Sequence, residues 1–228
     1  MAGSITYDNV FWSLLAGILP ALFWLWFWLR EDRKNPEPRS LLLKTFLAGT
    51  LSVFPAFALQ QFFAKGVNSE YLLIFIIWPL TEELVKYFTA YFVALRTKDF
   101  DEPIDAIIYL ITAALGFAAA ENFFFLVKPT FSIMSLITAN MRFIGATLLH
   151  LLTSATVGSF IALNFYKDKA HKKISLILGL LTATVLHSLF NAFIIKDNGG
   201  NIFAVFSTLW LFTIALLLLC EKIKSLKK

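Results

Sequence analysis

The sequence predicts an all-α fold, a polytopic transmembrane helical bundle of about seven spans, and three observations lead there. Of 228 residues, 58% are hydrophobic and only 15% charged, with a mean hydropathy of +0.73, far too apolar for a water-soluble domain. Apolar runs near the ~20 residues that cross a hydrocarbon core recur along the whole chain. Lys and Arg gather in alternate connections between those runs, the pattern that sets membrane orientation.

The spans are expected at 10–29, 42–63, 71–95, 104–127, 143–166, 174–195 and 202–220. Residues 1–9 hold no Lys or Arg and include Asp8, so they lack the basic start of a cleavable signal peptide, and the first helix is expected to be retained. Arg30, Arg33, Lys34, Arg39 and Lys44 follow the first run, and Asn35-Pro36-Glu37-Pro38 reads as a stiff loop. Pro79 removes a backbone donor within the third run, so that helix is expected to kink or restart there, turning helix-terminal N–H groups toward the acids that follow. Arg96 and Lys98 follow the third run; Lys167, Lys169, Lys172 and Lys173 follow the fifth; Lys222, Lys224, Lys227 and Lys228 close the chain. The alternate loops hold only Lys65, Lys128 and Lys196, with Arg142 as an outer-edge anchor. The N-terminus is therefore placed outside and the C-terminus in the cytoplasm. Residues 131–140 read as a short surface or re-entrant helix. Asp105 and Tyr109 read as a helix start and an interface anchor, with a link to Arg96 or Lys98 as an option. No linker or repeat is visible, so residues 1–228 are read as one integral membrane domain with a catalytic core at roughly 71–195.

Composition also excludes functions. The single Cys220 rules out an internal disulfide framework and reads as a small apolar filler. The net charge of +5 sits in loops beside apolar runs rather than among exposed aromatics, so nucleic acid is not a partner. The partners implied are the lipid bilayer and proteins within it.

Charge inside the spans is the informative feature. Glu82, Glu83 and Lys86 lie within the third run, Glu121 and Asn122 in the fourth, His150 in the fifth, and His187 and Asn191 in the sixth. An ionised side chain at a bilayer centre costs at least ~2.5 to 3.5 kcal/mol on insertion scales, so such a set points to function. At 1.5 Å per residue, Glu82, Glu121, His150, His187 and Asn191 all fall about 6 to 16 Å below the outer helix ends, in one layer. His187 and Asn191 are four apart, as are Glu82 and Lys86, so each pair shares a helix face. The small residues of Gly116-Phe117-Ala118-Ala119-Ala120 let neighbouring helices approach beside Glu121. Lys86 is read as structural support that neutralises one glutamate. His171, in a basic loop, is a solvated surface residue.

The set suits hydrolysis. A carboxylate in apolar surroundings is a stronger base than one in water, so Glu82 or Glu83 can activate water. A His and an Asn amide one turn apart are suitable donors to an oxyanion. Alternatively, His150, His187 and Glu121 form a two-His, one-carboxylate set for zinc, with Glu82 as base. No HExxH zinc protease signature is present.

Four stretches, taken together, resemble the PrsW-type intramembrane proteases: Trp78-Pro79-Leu80-Thr81-Glu82-Glu83-Leu84-Val85-Lys86; Asp105-Ala106-Ile107-Ile108-Tyr109 followed by Gly116-Phe117-Ala118-Ala119-Ala120-Glu121-Asn122; His150 eight residues before Gly158; and His187-Ser188-Leu189-Phe190-Asn191. The resemblance implies a bacterial plasma membrane peptidase, distantly related to CAAX prenyl endopeptidases, that makes a site-1 cut in a membrane-anchored anti-sigma factor. It further implies Glu82 as base, His187 and Asn191 as oxyanion donors, and His150 or Glu121 as the group orienting water, with Glu83 also in the site and Lys86 and Asn122 as support. Two departures from the CAAX pattern stand out: Lys86 takes the place of Arg with a different spacing, and Glu121 stands where those enzymes have His. Metal use, with zinc as the candidate ion, does not carry over in either direction. A proton- or ion-coupled transporter and a catalytically inert membrane scaffold are the alternatives that the same polar set leaves open.

Overall fold

A computed structural model of the chain describes residues 5–33, 35–127, 145–196 and 202–226. Every regular element among them is helical: α1 (Tyr7–Trp28), α2 (Arg39–Leu51), α3 (Val53–Gly66), α4 (Trp78–Ala90), α5 (Pro103–Leu126), α6 (Thr147–Leu163), α7 (Lys169–Lys196) and α8 (Ile202–Lys224). A helical turn at Glu70–Leu72 and a π-helical stretch at Leu73–Ile77 lead into α4, and a second π stretch, Tyr91–Leu95, follows it. The expected helix at 131–140 and Arg142 lie outside the described residues.

Five helical stretches are long and apolar enough to cross a bilayer: Tyr7–Trp28, Arg39–Gly66, Pro103–Leu126, Lys169–Phe193 and Phe203–Lys224. The fifth expected span shows only the 17 residues of α6 as regular α-helix. The third is divided by its π segments and carries the charges.

The second expected span is interrupted. Pro55 has no N–H to offer Leu51, and the helix breaks at Ser52, whose hydroxyl instead donates to Gly49 O at 2.7 Å. At Pro79 the chain takes the restart differently from the expectation. Pro79 sits in the first turn of α4, yet Ile77 is itself helical and the Trp78 N–H donates to Leu73 O. The π-to-α junction keeps the backbone continuous, so no open helix end is turned toward the glutamates.

The bundle is built around α5. Its sequence is apolar on every side, and nearly every residue from Pro103 to Leu126 is buried. An all-round apolar helix is a core helix, and α1, α2, α4 and α6 pack against this one. Gly49 of α2 and Gly116 of α5 make the closest crossing. A Cβ on Gly116 would collide with Phe46 O, and one on Gly49 with Ala113 O, so the two backbones meet where side chains would hold them apart.

The start of α5 corrects the reading of the 35–38 loop and of Asp105. Asp105 does start the helix, closing a capping box with Glu102, and Pro103 occupies the first turn. Its company is acidic rather than basic: Asp32 and Glu37 stand beside it, and Tyr109 donates its hydroxyl to Glu37. Arg96 lies over the Tyr91 and Phe92 rings instead. The 35–38 loop is thus tied into the bundle, not only a spacer. Cys220 is fully buried among apolar residues.

Candidate active site

Glu82, Glu83 and Lys86 come from α4, Glu121 from the far end of α5, His150 from α6 and His187 from α7. The helix spacing that places Glu83 and Lys86 on one face of α4 brings Lys86 Nζ to 2.7 Å from Glu83 Oε1, with both side chains fully buried. The same ammonium stands 3.2 Å from His150 Nδ1 and 5.6 Å from the Phe117 ring centroid. Glu83 Oε1 also receives His187 Nδ1 at 2.8 Å. His150 Nε2 lies 2.8 Å from Glu121 Oε2. The two imidazoles meet edge to face with centroids 5.3 Å apart. These six side chains therefore form one connected network, reached from four helices. Asn122 belongs to its frame: its amide donates to Thr147 Oγ1 at 2.9 Å and ties α5 to α6. Asn191 lies one turn beyond His187 on α7, half-buried.

Proton placement follows from who can donate. Lys86 carries only donors, so His150 Nδ1 is the acceptor of that contact and the ring proton sits on Nε2, facing the Glu121 carboxylate. Glu83, ion-paired to Lys86, accepts only, so His187 carries its proton on Nδ1 and presents the Nε2 lone pair on its other side. That lone pair faces Glu82 Oε2 at 3.7 Å. The two are both acceptors, and Glu82 Oε2 is buried with no hydrogen-bond partner. Something that supplies positive charge or protons belongs between them.

Gln60, on α3, is the group the sequence reading missed. Its amide Nε2 donates to Glu82 Oε1 at 2.9 Å and fixes the glutamate from the side away from His187. A neutral amide in an apolar helix carries no insertion cost as conspicuous as a charge. Its distance from the acids in sequence hides the contact.

Exposure is graded across the network. Glu121 is 33% exposed at its side chain, Glu82 12%, and His150, His187, Glu83 and Lys86 5% or less. Glu121 is thus the rim of the cluster and the Glu83–Lys86 pair its floor. An apolar cleft of about 530 Å³ between α6, α7 and α8 is lined by Leu149, Thr153, Leu186 and Phe190, sequence neighbours of the two histidines, but by none of the charged groups. It is an apolar feature next to the site rather than the site itself.

The residues fit a divalent metal ion. Ligand atoms of Glu82, His150 and His187 all lie within 4.8 Å of one another, a two-His, one-carboxylate set. His187 is braced by a carboxylate on its other nitrogen, as metal-bound imidazoles usually are. The partnerless Glu82 oxygen is a second sign. Of the sequence-derived candidates Glu121, His150 and His187, Glu121 contacts His150, while Glu82 is the carboxylate grouped with the two rings.

Comparison with known proteins points the same way. A family model described as PrsW family intramembrane metalloprotease matches residues 37–219. The chain is 31% identical over 188 residues to Protease PrsW of Halalkalibacterium halodurans, covering 82% of this chain and 85% of that one. It is 37% identical over 119 residues to Protease PrsW of Geobacillus kaustophilus, covering 51% and 53%, and 32% identical over 188 residues to that of Oceanobacillus iheyensis, covering 80% and 82%. No solved structure matches the chain.

Proposed function

Because the chain belongs to the PrsW family of intramembrane metalloproteases, and is therefore a membrane-embedded peptidase, we propose that it hydrolyses a peptide bond of a membrane-anchored, anti-sigma-factor-like protein near the outer face, using Glu82 to activate water. The observation that carries this reading is the buried gap between Glu82 Oε2 and His187 Nε2, two acceptors 3.7 Å apart. A water molecule seated there gives one hydrogen to each and points its oxygen lone pair outward. It attacks the scissile carbonyl carbon, passing a proton to Glu82 as the C–O bond forms. The carbonyl oxygen becomes an oxyanion, which the Asn191 amide meets from one turn along α7. His187 joins as a donor when it holds a second proton on Nε2. The C–N bond then breaks, and the proton held by Glu82 passes to the leaving amine.

The other groups position these two. Gln60 holds Glu82 in place, Glu83 holds the His187 ring, and Lys86 neutralises Glu83 and fixes the proton on His150 so that it meets Glu121. Glu82, His187 and, once it gives up its contact with Lys86 or Glu121, His150 are the residues that would hold a metal ion such as zinc, in place of the water in the gap; when bound it would supply Lewis acidity toward a water and the carbonyl. The Lys- and Arg-rich loops support an orientation with the Glu121 end of α5 and the His187 end of α7 toward the external face; on this reading cleavage takes place on that side, within one integral membrane domain whose core is 71–195.

The test uses purified protein in proteoliposomes with a set of membrane-anchored peptides. Wild type cuts at least one of them, while Glu82→Gln and His187→Ala cut none. Cleavage that survives Glu82→Gln at the wild-type rate overturns the role of Glu82. Loss on treatment with a chelator, restored by zinc, assigns the metal.

A further inference from the structure

The opposite end of α5 carries a second set of buried acids that the peptidase reading does not use. Asp105 lies 16 residues before Glu121 on the same helix, a separation of about 24 Å at 1.5 Å per residue. Asp32 and Glu37, from the connection between α1 and α2, meet Asp105 there, with one oxygen of each within 4.8 Å of the others. The residues are only 4%, 8% and 1% exposed, so the cluster is shielded from solvent.

Three features say what belongs among them. Among the described residues, none of the three carboxylates has an ion pair with Lys or Arg: Lys224 is engaged by Glu31 and Glu221 at 2.6 and 2.7 Å, and Arg96 and Arg30 lie over aromatic rings. Two of the carboxylates are held by donors on one oxygen only. Asp105 Oδ2 accepts the N–H groups of Asp101 and Glu102 at 2.9 and 2.6 Å, and Glu37 Oε2 accepts the Tyr109 hydroxyl, the outer bracing that orients ligating carboxylates. The third observation is independent of the cluster's composition. Asp32 Oδ2 is buried and has no hydrogen-bond partner, although its carboxylate stands against the other two. A carboxylate oxygen shielded from water without a donor is unfavourable unless a cation meets it.

We propose that Asp32, Glu37 and Asp105 form a binding site for a hard divalent cation, Mg²⁺, Ca²⁺ or Mn²⁺, at the end of the bundle opposite the peptidase cluster. The donor set is all oxygen, with no imidazole or thiolate, and that chemistry selects these ions over zinc. A recess of about 640 Å³, lined in part by Asp32, Arg33, Glu102 and Lys224, leads to it. The ion clips the α1–α2 connection onto the first turn of α5. It therefore acts as a fastener on the central helix, and takes no part in hydrolysis.

The experiment uses the full chain in detergent, stripped with a chelator and desalted, both as wild type and as the Glu82→Gln/His187→Ala double variant, which removes donors of the other cluster. MnCl₂ is titrated and unbound Mn²⁺ followed by electron paramagnetic resonance, with MgCl₂ and CaCl₂ as competitors to identify the preferred ion. The double variant is expected to bind one Mn²⁺ per chain saturably, and Asp32→Asn or Asp105→Asn added to it to weaken binding at least tenfold. Glu221→Gln, which removes a nearby exposed acid, leaves binding unchanged. No saturable binding in the double variant overturns the site without any further substitution, and so does binding that Asp32→Asn leaves intact. In these two cases the acids are neutralised by protons instead, burial favouring the protonated form of Asp32 and Glu37. Proteolysis is not read at any stage, so failure here leaves the peptidase reading standing.

Discussion

Replacing Lys86 by Met tests the proton arrangement of the cluster and can be worked through from the structure. Lys86 is fully buried, 2.7 Å from Glu83 and 3.2 Å from His150. Met keeps the stem volume and deletes the charge, so Glu83 is left as a buried carboxylate whose remaining partner is His187 Nδ1. Breaking a buried pair from one side costs about 3 to 5 kcal/mol, because the surviving charge has lost its counter-ion. At about 2 to 4 °C per kcal/mol for a chain of this size, the melting temperature should fall by about 6 to 20 °C. Adding Glu83→Gln removes the stranded charge. A buried pair replaced as a whole is close to neutral, so the Lys86→Met/Glu83→Gln double variant should recover to within about 1 kcal/mol of wild type. Activity should not recover with it. Without Lys86 the proton on His150 is no longer directed to Glu121, and without the Glu83 charge the His187 ring loses the anion that holds its Nδ1–H. Differential scanning fluorimetry in detergent reads the first quantity and peptide cleavage the second. If Lys86→Met melts within 2 °C of wild type, or if the double variant is as unstable as the two single effects added, the pair is not the floor of this site. If the double variant regains wild-type cleavage, the tautomer argument is wrong.

Other consequences are more direct. Gln60→Leu removes one hydrogen bond to the Glu82 carboxylate, worth about 1.5 to 3 kcal/mol, and should lower kcat by at least tenfold and the melting temperature by about 3 to 12 °C, as steady-state cleavage assays and melting curves would show. Gly116→Ala should lower the melting temperature by the equivalent of about 1 to 3 kcal/mol, because the new methyl meets the Phe46 carbonyl, whereas Gly66→Ala, with nothing within 4 Å, should not destabilise. Without divalent cations, stability should fall as pH rises from about 4 to 8. Burial first, then the charge of Asp105, raises Asp32 to about 7, and burial chiefly raises Glu37 to about 8. Both acids then hold protons in the folded state that the unfolded chain has already released, so stability is full below the ordinary carboxylate range and lost through the raised values. Melting curves at pH 5, 6.5 and 8 check the sign, and Asp32→Asn should flatten the slope.

The helical class and the polar layer were legible because both are written in residue type. Apolar runs and Lys/Arg loops need no tertiary information, and Glu82, Glu121, His150 and His187 stand out against lipid by their cost alone. What was hidden depends on partners across the fold. Gln60 looks neutral until α3 is laid beside α4. Asp105 and Glu37 each have a sufficient local explanation, as a helix start and as a rigid loop. Only the packing of the α1–α2 connection on α5 brings these two acids against each other and against Asp32.

The balance of charge within each cluster then explains why both lie on the buried central helix. Among the described residues, the candidate site holds three carboxylates, Glu82, Glu83 and Glu121, and one ammonium, Lys86. Lys86 is spent on Glu83, so the negative charge of Glu82 has to be met by protons on the histidines, by a divalent ion, or by a substrate that brings hydrogen-bond donors. That imbalance is unfavourable in the resting protein, and in the reaction proposed above it is what would draw a water proton to Glu82. An extra Lys or Arg beside Glu82 would satisfy it and remove the basicity, which is why the counter-charge is placed on Glu83, one residue and about 100° of helix away. Keeping such a site from collapsing requires a frame that cannot shift to bring a cation closer. Helix α5 supplies it, held by close backbone crossings along its length and clipped at the far end where Asp105 meets the α1–α2 connection.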